Sequence, residues 1–287
     1  MEHFILTRFN IRLWTKDKKK KPTQTDDWLK KRFELFERFC LPSIQNQKNK
    51  DFKWIVLFDA DTPKPYLERI ANYEKECKQF IPCMVQATIA KDFMCIFQDE
   101  VKKNIGSQCA VLVTTYLDND DAISCDYIDE VQKIANEVLS NTYISFKYGL
   151  QYFVQLNIAT QVRYDNNHFI SFVENCSNRD TIKTVFGYGS HYYIDQYRDA
   201  HVLYIDLKDE KKEKWIEIVH DNNVDNEVKA TFETQLITDY GKLKREFGID
   251  IELSHHSKIK FSTQFMLLMF KEAIRIIKYK FVKRKWE

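Results

Sequence analysis

The sequence predicts an α/β fold with a mainly parallel central sheet. In the first half of the chain, short apolar runs typical of buried strands alternate with charged, amphipathic stretches of helical spacing, and this alternation is typical of βαβ units. One apolar run, from Cys109 to Leu117, ends in Asp118-Asn119-Asp120-Asp121. A buried strand that stops in clustered acids places them at the carboxyl edge of a sheet, where open α/β folds bind their ligands.

Strands and helices alternate regularly in the first half. The strands are predicted at 3–9, 53–58, 79–86 and 109–117. The helices are predicted at 27–40, 66–77 and 97–105 and from near Asp126, with Pro42 opening a last segment of the first helix.

The second half of the sequence has a different pattern. Residues 142–164 are rich in β-formers, with Tyr148-Gly149 as a turn between two strands, and residues 165–200 carry the Asn, Asp and Gly typical of loops around a site. Short strands are predicted at 201–205 and 215–219, followed by helical segments to residue 282. Because no repeat and no Gly-, Pro- or Ser-rich linker divides the chain, one continuous domain is predicted.

The composition is that of a folded protein with no overall charge bias. The 287 residues are 44% hydrophobic, which is enough to fill the core of one large α/β domain. Basic and acidic residues number 44 and 42, and the net charge of +2 gives no global field for nucleic acid. No nucleic-acid partner is therefore predicted.

The cysteines and the N-terminus favour a cytoplasmic protein. The seven cysteines include no C-x-x-C pair, which indicates reduced, buried thiols. The N-terminal MEHFILTRFNIRLW carries acidic and Arg residues inside its apolar stretch, so it is not typical of a signal peptide. The apolar run 265–270 is too short to span a bilayer.

Residues 262–286 predict a basic amphipathic helix near the C-terminus. Apolar residues recur at helical spacing, and basic residues greatly outnumber acidic ones. Such a helix can lie on an anionic membrane, so peripheral contact with the inner face of the cell membrane is predicted. The alternative is that its apolar face packs on the rest of the domain.

Several motifs carry a resemblance to a known superfamily. CLPSIQNQKNKDFKWIVLFDADTP at 40–63 resembles the opening of a family 2-like GT-A glycosyltransferase, and YLDNDDAI at 116–123 is similar to the DXD motif of that superfamily. More narrowly, five motifs together resemble the bacterial family described as rhamnosyltransferases. They are TRFN, FCLPSIQNQ, LDNDDAI, FVEN at 172–175 and WIEIVHDNNV at 215–224. Their order and spacing over residues 3–224 carry this resemblance. The chain departs from it at Tyr116, where the family has Arg.

The resemblance implies a GT-A-type nucleotide-diphospho-sugar transferase fold in a single domain, 1–287. Residues 1–125 are then the nucleotide-sugar-binding half, 126–230 the acceptor-side half and 231–287 a C-terminal helical segment. The implied activity is metal-dependent, inverting transfer of a sugar, rhamnose from a dTDP donor, during synthesis of a bacterial surface polysaccharide. The implied partners are a nucleotide-sugar donor and a glycan or lipid-linked glycan acceptor.

Donor-binding residues are implied at several strand ends. They are Thr7, Arg8, Asp59, Asp61, Asp118 and Asn119. Arg8 suits a pyrophosphate because its planar guanidinium binds two oxygen atoms at once, and a surface ion pair is the alternative.

The acidic turn predicts a site for a divalent metal. Clustered carboxylates repel one another unless a cation lies among them, and oxygen atoms are the ligands that Mg²⁺ or Mn²⁺ prefers. Such an ion neutralises a diphosphate leaving group, and Asp118, Asp120 and His220 are the predicted ligands. The alternatives are an acidic turn that caps the following helix, with Asp121 as a cap, and a His220 that is satisfied at a strand end.

Inverting transfer requires a carboxylate that takes the proton of the acceptor hydroxyl. Glu174, after the apolar run FISFV, is the first candidate, with Asp180 and Asp221 as alternatives. Glu174 can instead be a structural hydrogen-bond acceptor.

Two other classes of function use the same acids. FDAD-T at 58–62 is similar to the nucleophile loop of haloacid-dehalogenase-type phosphatases, although Thr62 comes one residue too early. A metal-dependent phosphatase is therefore one alternative, and a catalytically inactive GT-A module that binds glycan is another. Glycine-rich phosphate loops are missing from the sequence.

Overall fold

The computed structural model describes residues 1–16, 22–189, 191–207, 212–220 and 235–253, together with Met266, Phe270 and Ile274. These residues form a mixed α/β structure with a central sheet and flanking helices. The predicted α/β class is confirmed, as is the mainly parallel sheet.

The elements follow the predicted order through the first half. The strands are β1 (Glu2–Arg8), β2 (Lys53–Asp59), β3 (Phe80–Val85), β4 (Val111–Tyr116), β5 (Ala122–Ile123), β6 (Thr142–Phe146), β7 (Tyr148–Phe153), β8 (Ile158–Arg163), β9 (Ile170–Asn175), β10 (His201–Ile205), β11 (Trp215–Val219) and β12 (Gln235–Leu236). The α-helices are α1 (Asp26–Leu35), α2 (Leu41–Gln45), α3 (Lys64–Glu76), α4 (Phe93–Asn104), α5 (Tyr127–Ala135) and α6 (Lys242–Phe247). A π-helical turn (Phe36–Cys40) joins α1 to α2, and 3₁₀ turns occupy Ala87–Asp92, Arg179–Thr181 and His191–Gln196.

Among the described residues, the central sheet has seven strands in the order β10-β6-β9-β4-β1-β2-β3. Strand β9 is antiparallel to both of its neighbours, and the other pairs are parallel. The carboxyl ends of β1, β2 and β4 therefore meet at one edge. Strand β9 starts at this edge and ends at the opposite one.

The part of the chain that the structure describes also forms a second sheet, of five strands in the order β12-β8-β7-β11-β5. Its strand β5 follows the acidic turn 118–121 directly and pairs with β11. The acidic turn is thus one covalent connection between the two sheets, and residues from both sheets meet around it.

Strand β2 shows why the central sheet is buried on both faces. Side chains along a strand alternate between its faces, so Trp54, Val56 and Phe58 enter one apolar cluster while Ile55 and Leu57 enter another. All five are fully buried. A continuous apolar run is what a parallel strand covered by helices on both faces requires.

Helix α1 presents its apolar face to the first of these clusters. The Thr25 hydroxyl accepts the Trp28 N–H at 3.3 Å as an N-cap, and acidic residues in the first turn suit the positive end of the helix dipole. Leu29 and Phe33 are buried against the sheet. This docking brings Arg32, in the last turn, to the acidic turn.

One predicted turn is wrong. Tyr148 and Gly149 are both part of β7. The glycine is needed for close packing, since a Cβ at position 149 would lie 2.0 Å from the Trp215 ring of β11.

The central sheet takes strands from both sides of residue 125. Of the predicted C-terminal helical segment 231–287, the structure describes β12, α6 and three exposed helical positions, Met266, Phe270 and Ile274, while the rest lies outside the described residues. Among the helices that the structure describes, none has the length and apolar character needed to cross a bilayer.

Candidate active site

A cavity of about 690 Å³ lies where the carboxyl ends of β1 and β4 meet the start of β9. Its lining includes Arg8, the whole acidic turn 118–121 and His168. Apolar and aromatic side chains from α1, α4 and the segment 185–192 form its walls. A cavity that combines apolar walls with a few convergent polar groups is typical of a ligand site.

Arg8, Tyr116 and Asp118 form a chain of polar contacts on one wall. The Arg8 guanidinium donates to the Tyr116 hydroxyl, which donates to Asp118 Oδ1, and Arg8 Nη2 lies 3.7 Å from the same oxygen. Burial acts to lower the pKa of Arg8, but Tyr116 and Asp118 outweigh it and the net shift is upward. The Arg8 Nε–H is buried and has no hydrogen-bond partner among the described residues. Since Arg8 also lines the cavity, its guanidinium brings positive charge there.

Asn119 fastens the acidic turn to the end of β1. Its amide nitrogen donates to the carbonyl oxygens of Arg8 and Phe9 at 2.9 and 2.6 Å. Its amide oxygen accepts Arg32 Nη1 at 3.0 Å. These bonds fix where the neighbouring carboxylates lie.

Two nitrogen-bearing side chains contact one carboxylate oxygen of Asp120. Oδ2 is 3.0 Å from Arg32 Nη1 and 2.9 Å from His220 Nε2. Although burial raises the pKa of Asp120, the charge of Arg32 and the hydrogen bond from His220 outweigh it and lower that pKa below its usual range. Asp120 is therefore ionised and paired.

Asp121 connects three segments of the chain. Its Oδ1 accepts the Ile218 N–H of β11 at 2.8 Å, and its Oδ2 lies 2.8 Å from His168 Nε2. Burial raises the pKa of Asp121 to about 7, and the negative charges of Asp120 and Asp118 act in the same direction. For His168, burial lowers the pKa but Asp121 outweighs it, so the net shift is upward.

The residues Asp118, Asp121 and His168 can together hold a divalent metal ion. Each offers one ligand atom, and these atoms lie within 4.8 Å of one another. Two carboxylate oxygens and an imidazole nitrogen are a donor set suited to Mn²⁺ and related ions. Of the predicted ligands, Asp118 belongs to this group, whereas Asp120 and His220 form the adjoining pair.

The predicted donor residues at β2 lie outside the cavity lining. Arg12 forms ion pairs with the buried Asp59 and, at 3.0 Å, with the exposed Asp61. Thr7 is fully buried and accepts the Trp54 indole N–H at 2.9 Å. Arg8, Asp118 and Asn119 are thus the predicted donor residues that line the cavity.

The structure does not bring Glu174 or Asp180 to the cavity. Because β9 is antiparallel to β4, Glu174 pairs with Leu112, at the opposite edge of the sheet from the acidic turn. Its carboxylate accepts the N–H groups of Lys183 and Thr184, both at 2.8 Å. Asp180 is exposed in the following 3₁₀ turn. Asp221 lies outside the described residues.

Sequence reasoning missed Arg32 and His168. His168 directly precedes the apolar run that forms β9. A polar residue next to such a run could have indicated a site residue at the end of a strand. Arg32 is one of many charged residues on an amphipathic helix, and no local pattern distinguishes it.

Comparisons with solved structures give distant matches. S. aureus TarS matches at 11% identity and a TM-score of 0.44, covering 76% of this chain and 37% of TarS. Residues 1–349 of S. aureus TarS in complex with UDP match at 12% identity and a TM-score of 0.43, covering 76% of this chain and 61% of that one. A "putative nucleotide-diphospho-sugar transferase" from Desulfovibrio desulfuricans G20 matches at 14% identity and a TM-score of 0.37, covering 72% of this chain and 80% of that one. This chain therefore spans less than two thirds of the TarS chains.

No curated protein matches the sequence. The sequence profile of a family described as "Putative rhamnosyl transferase" matches residues 4–231. This region includes β1 from its third residue onward, β2 to β11, and every described residue of the acidic turn and its partners. The chain therefore belongs to the "Putative rhamnosyl transferase" family.

Proposed function

We propose that this protein is a metal-dependent, inverting glycosyltransferase of GT-A type that moves a sugar from a nucleotide-diphosphate donor to a glycan acceptor. The observation that carries the proposal is the group Asp118, Asp121 and His168 beside Arg8 in one cavity. A cation site next to a guanidinium suits a diphosphate. Membership of the family supports sugar transfer over other reactions of phosphate esters.

The residues of the cavity have distinct roles in this proposal. Arg8 binds diphosphate oxygens and is oriented by the Tyr116 hydroxyl. Asn119 and Arg32 hold the acidic turn in place. The bound ion supplies positive charge that stabilises the diphosphate leaving group. Asp118, Asp121 and His168 hold that ion in the arrangement that the geometry favours.

The finer assignments are part of the proposal. The donor is dTDP-rhamnose, and the acceptor is a growing surface glycan, free or lipid-linked. The imidazole of His220 contacts Asp120 in the acidic turn. Asp221 is the next residue in the sequence, so it is the candidate base in this proposal. The donor half includes Asp59 and Asp61, which bind base and ribose if Arg12 releases them.

Product analysis tests the reaction class. The protein is incubated with nucleotide sugars, including dTDP-rhamnose, and Mn²⁺, with and without a glycan acceptor. Nucleoside diphosphate released only with the acceptor supports transfer. Release of inorganic phosphate favours the phosphatase alternative, and glycan binding without turnover favours the inactive module.

Three variants distinguish the two possible ligand sets. We expect Asp121→Asn and His168→Gln to weaken Mn²⁺ binding, measured by electron paramagnetic resonance, because each removes a ligand atom of the compact group. We expect Asp120→Asn to retain Mn²⁺ binding. Loss of binding in Asp120→Asn alone would instead assign the ion to Asp118, Asp120 and His220. Circular dichroism checks that each variant is folded.

Peripheral membrane contact belongs to the same proposal. Met266, Phe270 and Ile274 recur at intervals of four residues on a helix, and all three are exposed. Their sequence neighbours include many Lys and Arg residues, which suit an anionic surface. We expect weak binding to anionic vesicles that is lost at high salt. Equal binding after deletion of residues 271–287 from a folded protein would remove this part of the proposal.

A further inference from the structure

Two cysteine sulfur atoms lie 2.9 Å apart at the edge of the central sheet opposite the cavity. Cys109 precedes β4 and Cys176 follows β9. The Cys176 N–H donates to the Ala110 carbonyl at 3.1 Å, which extends the antiparallel pairing of the two strands. Both cysteines are free thiols. The sheet itself therefore holds this pair of thiols together.

The geometry suits a disulfide. A disulfide bond is about 2.05 Å long, so the two sulfur atoms need to approach by only about 0.9 Å. Because the two strands are already paired at this point, the backbone holds the two side chains next to each other.

The two thiols differ in their surroundings. Cys176 is 3% exposed, and Cys109 is partly exposed. Burial raises the pKa of Cys176 to about 12, and its contact with Cys109 acts in the same direction. Because Cys109 is the more exposed of the two, it is the sulfur that a reagent meets first, and Cys176 is the one that follows.

We propose that Cys109 and Cys176 are a redox-active pair that a hydroperoxide converts into a disulfide. The Cys109 sulfur attacks the peroxide, the O–O bond breaks, and an alcohol or water leaves, so that Cys109 becomes a sulfenic acid. The Cys176 sulfur then attacks the Cys109 sulfur. The S–S bond forms as the S–O bond breaks, and the hydroxyl leaves as water with the Cys176 proton. The two sulfurs are oxidised and the peroxide is reduced.

The bond has a structural route to the cavity. Cys176 is the first residue of the segment that connects β9 to the cavity wall, where Val185, Phe186 and Gly189 line the cavity. The disulfide would link the first residue of this segment covalently to Cys109, just before β4. We expect slower amide hydrogen exchange over residues 177–189 in the oxidised protein.

Peptide mapping of the full-length wild-type protein tests the proposal. The reduced protein is treated with hydrogen peroxide at about one equivalent, unfolded under alkylating conditions and analysed by mass spectrometry. We expect a Cys109–Cys176 linked peptide, loss of two of the seven thiols, and recovery of both on reduction with dithiothreitol. Seven remaining thiols, a linkage through another cysteine, or Cys109 oxidised without linkage would overturn the proposal.

Single variants provide matched controls. We expect Cys109→Ser and Cys176→Ser to abolish the paired, reversible loss of thiols. Cys95→Ser, at an exposed position away from the pair, should retain it. Reversible loss of two thiols in either of the first two variants would contradict the assignment. The wild-type map gives a decision even if one of these variants fails to fold.

Discussion

Glu174 holds a strained turn in place. Thr184, whose N–H it accepts, is fully buried and has a φ of 63°, a value that a β-branched residue rarely adopts. The second carboxylate oxygen accepts the Lys183 N–H. Burial raises the pKa of Glu174, while these two hydrogen bonds act to lower it. At the scale of a single residue, the carboxylate is thus an anchor for the segment that leads to the cavity wall.

We expect Glu174→Gln to lower the free energy of unfolding by about 1–3 kcal/mol, because the amide NH₂ would face a backbone N–H that now has an acceptor. Urea unfolding measures this. Asp180→Asn is the matched control, since Asp180 is exposed on the same segment and its substitution should change stability by no more than about 0.5 kcal/mol. Equal stability of the two variants would contradict the anchoring role.

His3 gives a pH dependence at the same scale. It is 2% exposed, its Nε2 lies 2.7 Å from the Thr115 hydroxyl, and burial lowers its pKa from 6.5 to about 3. Between these two pH values the unfolded chain binds a proton that the folded protein does not. The folded state should therefore lose about 1.4 kcal/mol per pH unit as pH falls below 6.5.

Urea unfolding at pH 7 and at mildly acidic pH measures this loss. His3→Gln should reduce the pH dependence by that amount, whereas His201→Gln, at an exposed position on β10, should leave it unchanged. The same slope in His3→Gln and in the wild type would assign the effect to other groups.

At the scale of elements, the sequence predicts where strands lie better than which way they run. Strands were predicted near 201–205 and 215–219, and β10 and β11 lie there. The apolar run before Glu174 lies in the stretch predicted as loops, 165–200, yet it forms β9. An apolar run also has no direction. Since β9 is antiparallel, its end lies at the far edge and its start, next to His168, lies at the cavity. Direction depends on pairing with β4 and β6, which local sequence does not contain.

The acidic turn was predictable and most of its partners were not. Asp118 to Asp121 follow an apolar run, and that order alone places them at a sheet edge. Arg32 reaches them because α1 docks through Leu29 and Phe33, which lie on a neighbouring face of the helix. A contact between residues so far apart in sequence is set by tertiary packing, and periodicity reveals only the buried face.

The pairing of β7 with β11 depends on a glycine. We expect Gly149→Ala to destabilise the protein by about 3 kcal/mol or more, because the new methyl group would overlap the buried Trp215 ring. Gly241→Ala is the control, since its Cβ would meet no atom closer than 3.9 Å. Thermal and urea unfolding provide the measurement. If both variants were equally stable, the close packing of Trp215 would be incorrect.

At the scale of the whole molecule, one apolar core serves both sheets. Trp54 of the central sheet and Trp215 of the second sheet belong to the same buried cluster, and Trp215 stacks on Phe169 at 4.8 Å and 11°. We therefore expect both sheets to unfold in one cooperative transition.

Trp54 and Trp215 lie in different sheets. A variant in which the other four tryptophans are replaced by Phe therefore reports on the sheet of the one that is kept, and its fluorescence can be compared with far-ultraviolet circular dichroism. Within each variant, the two probes should give the same midpoint of urea unfolding. Different midpoints would show that the sheets unfold separately.

The hydrogen bond from the Ile218 amide to Asp121 provides a spectroscopic reporter. The proton lies on a strand of the second sheet, and the oxygen that accepts it belongs to the acidic turn of the cavity. Hydrogen bonding to a charged acceptor is stronger than to a neutral one, so the resonance frequency of this proton depends on the charge of Asp121. A single cross-peak in a nitrogen–proton correlation spectrum therefore registers protonation or ligand binding in the cavity, without any label placed inside it.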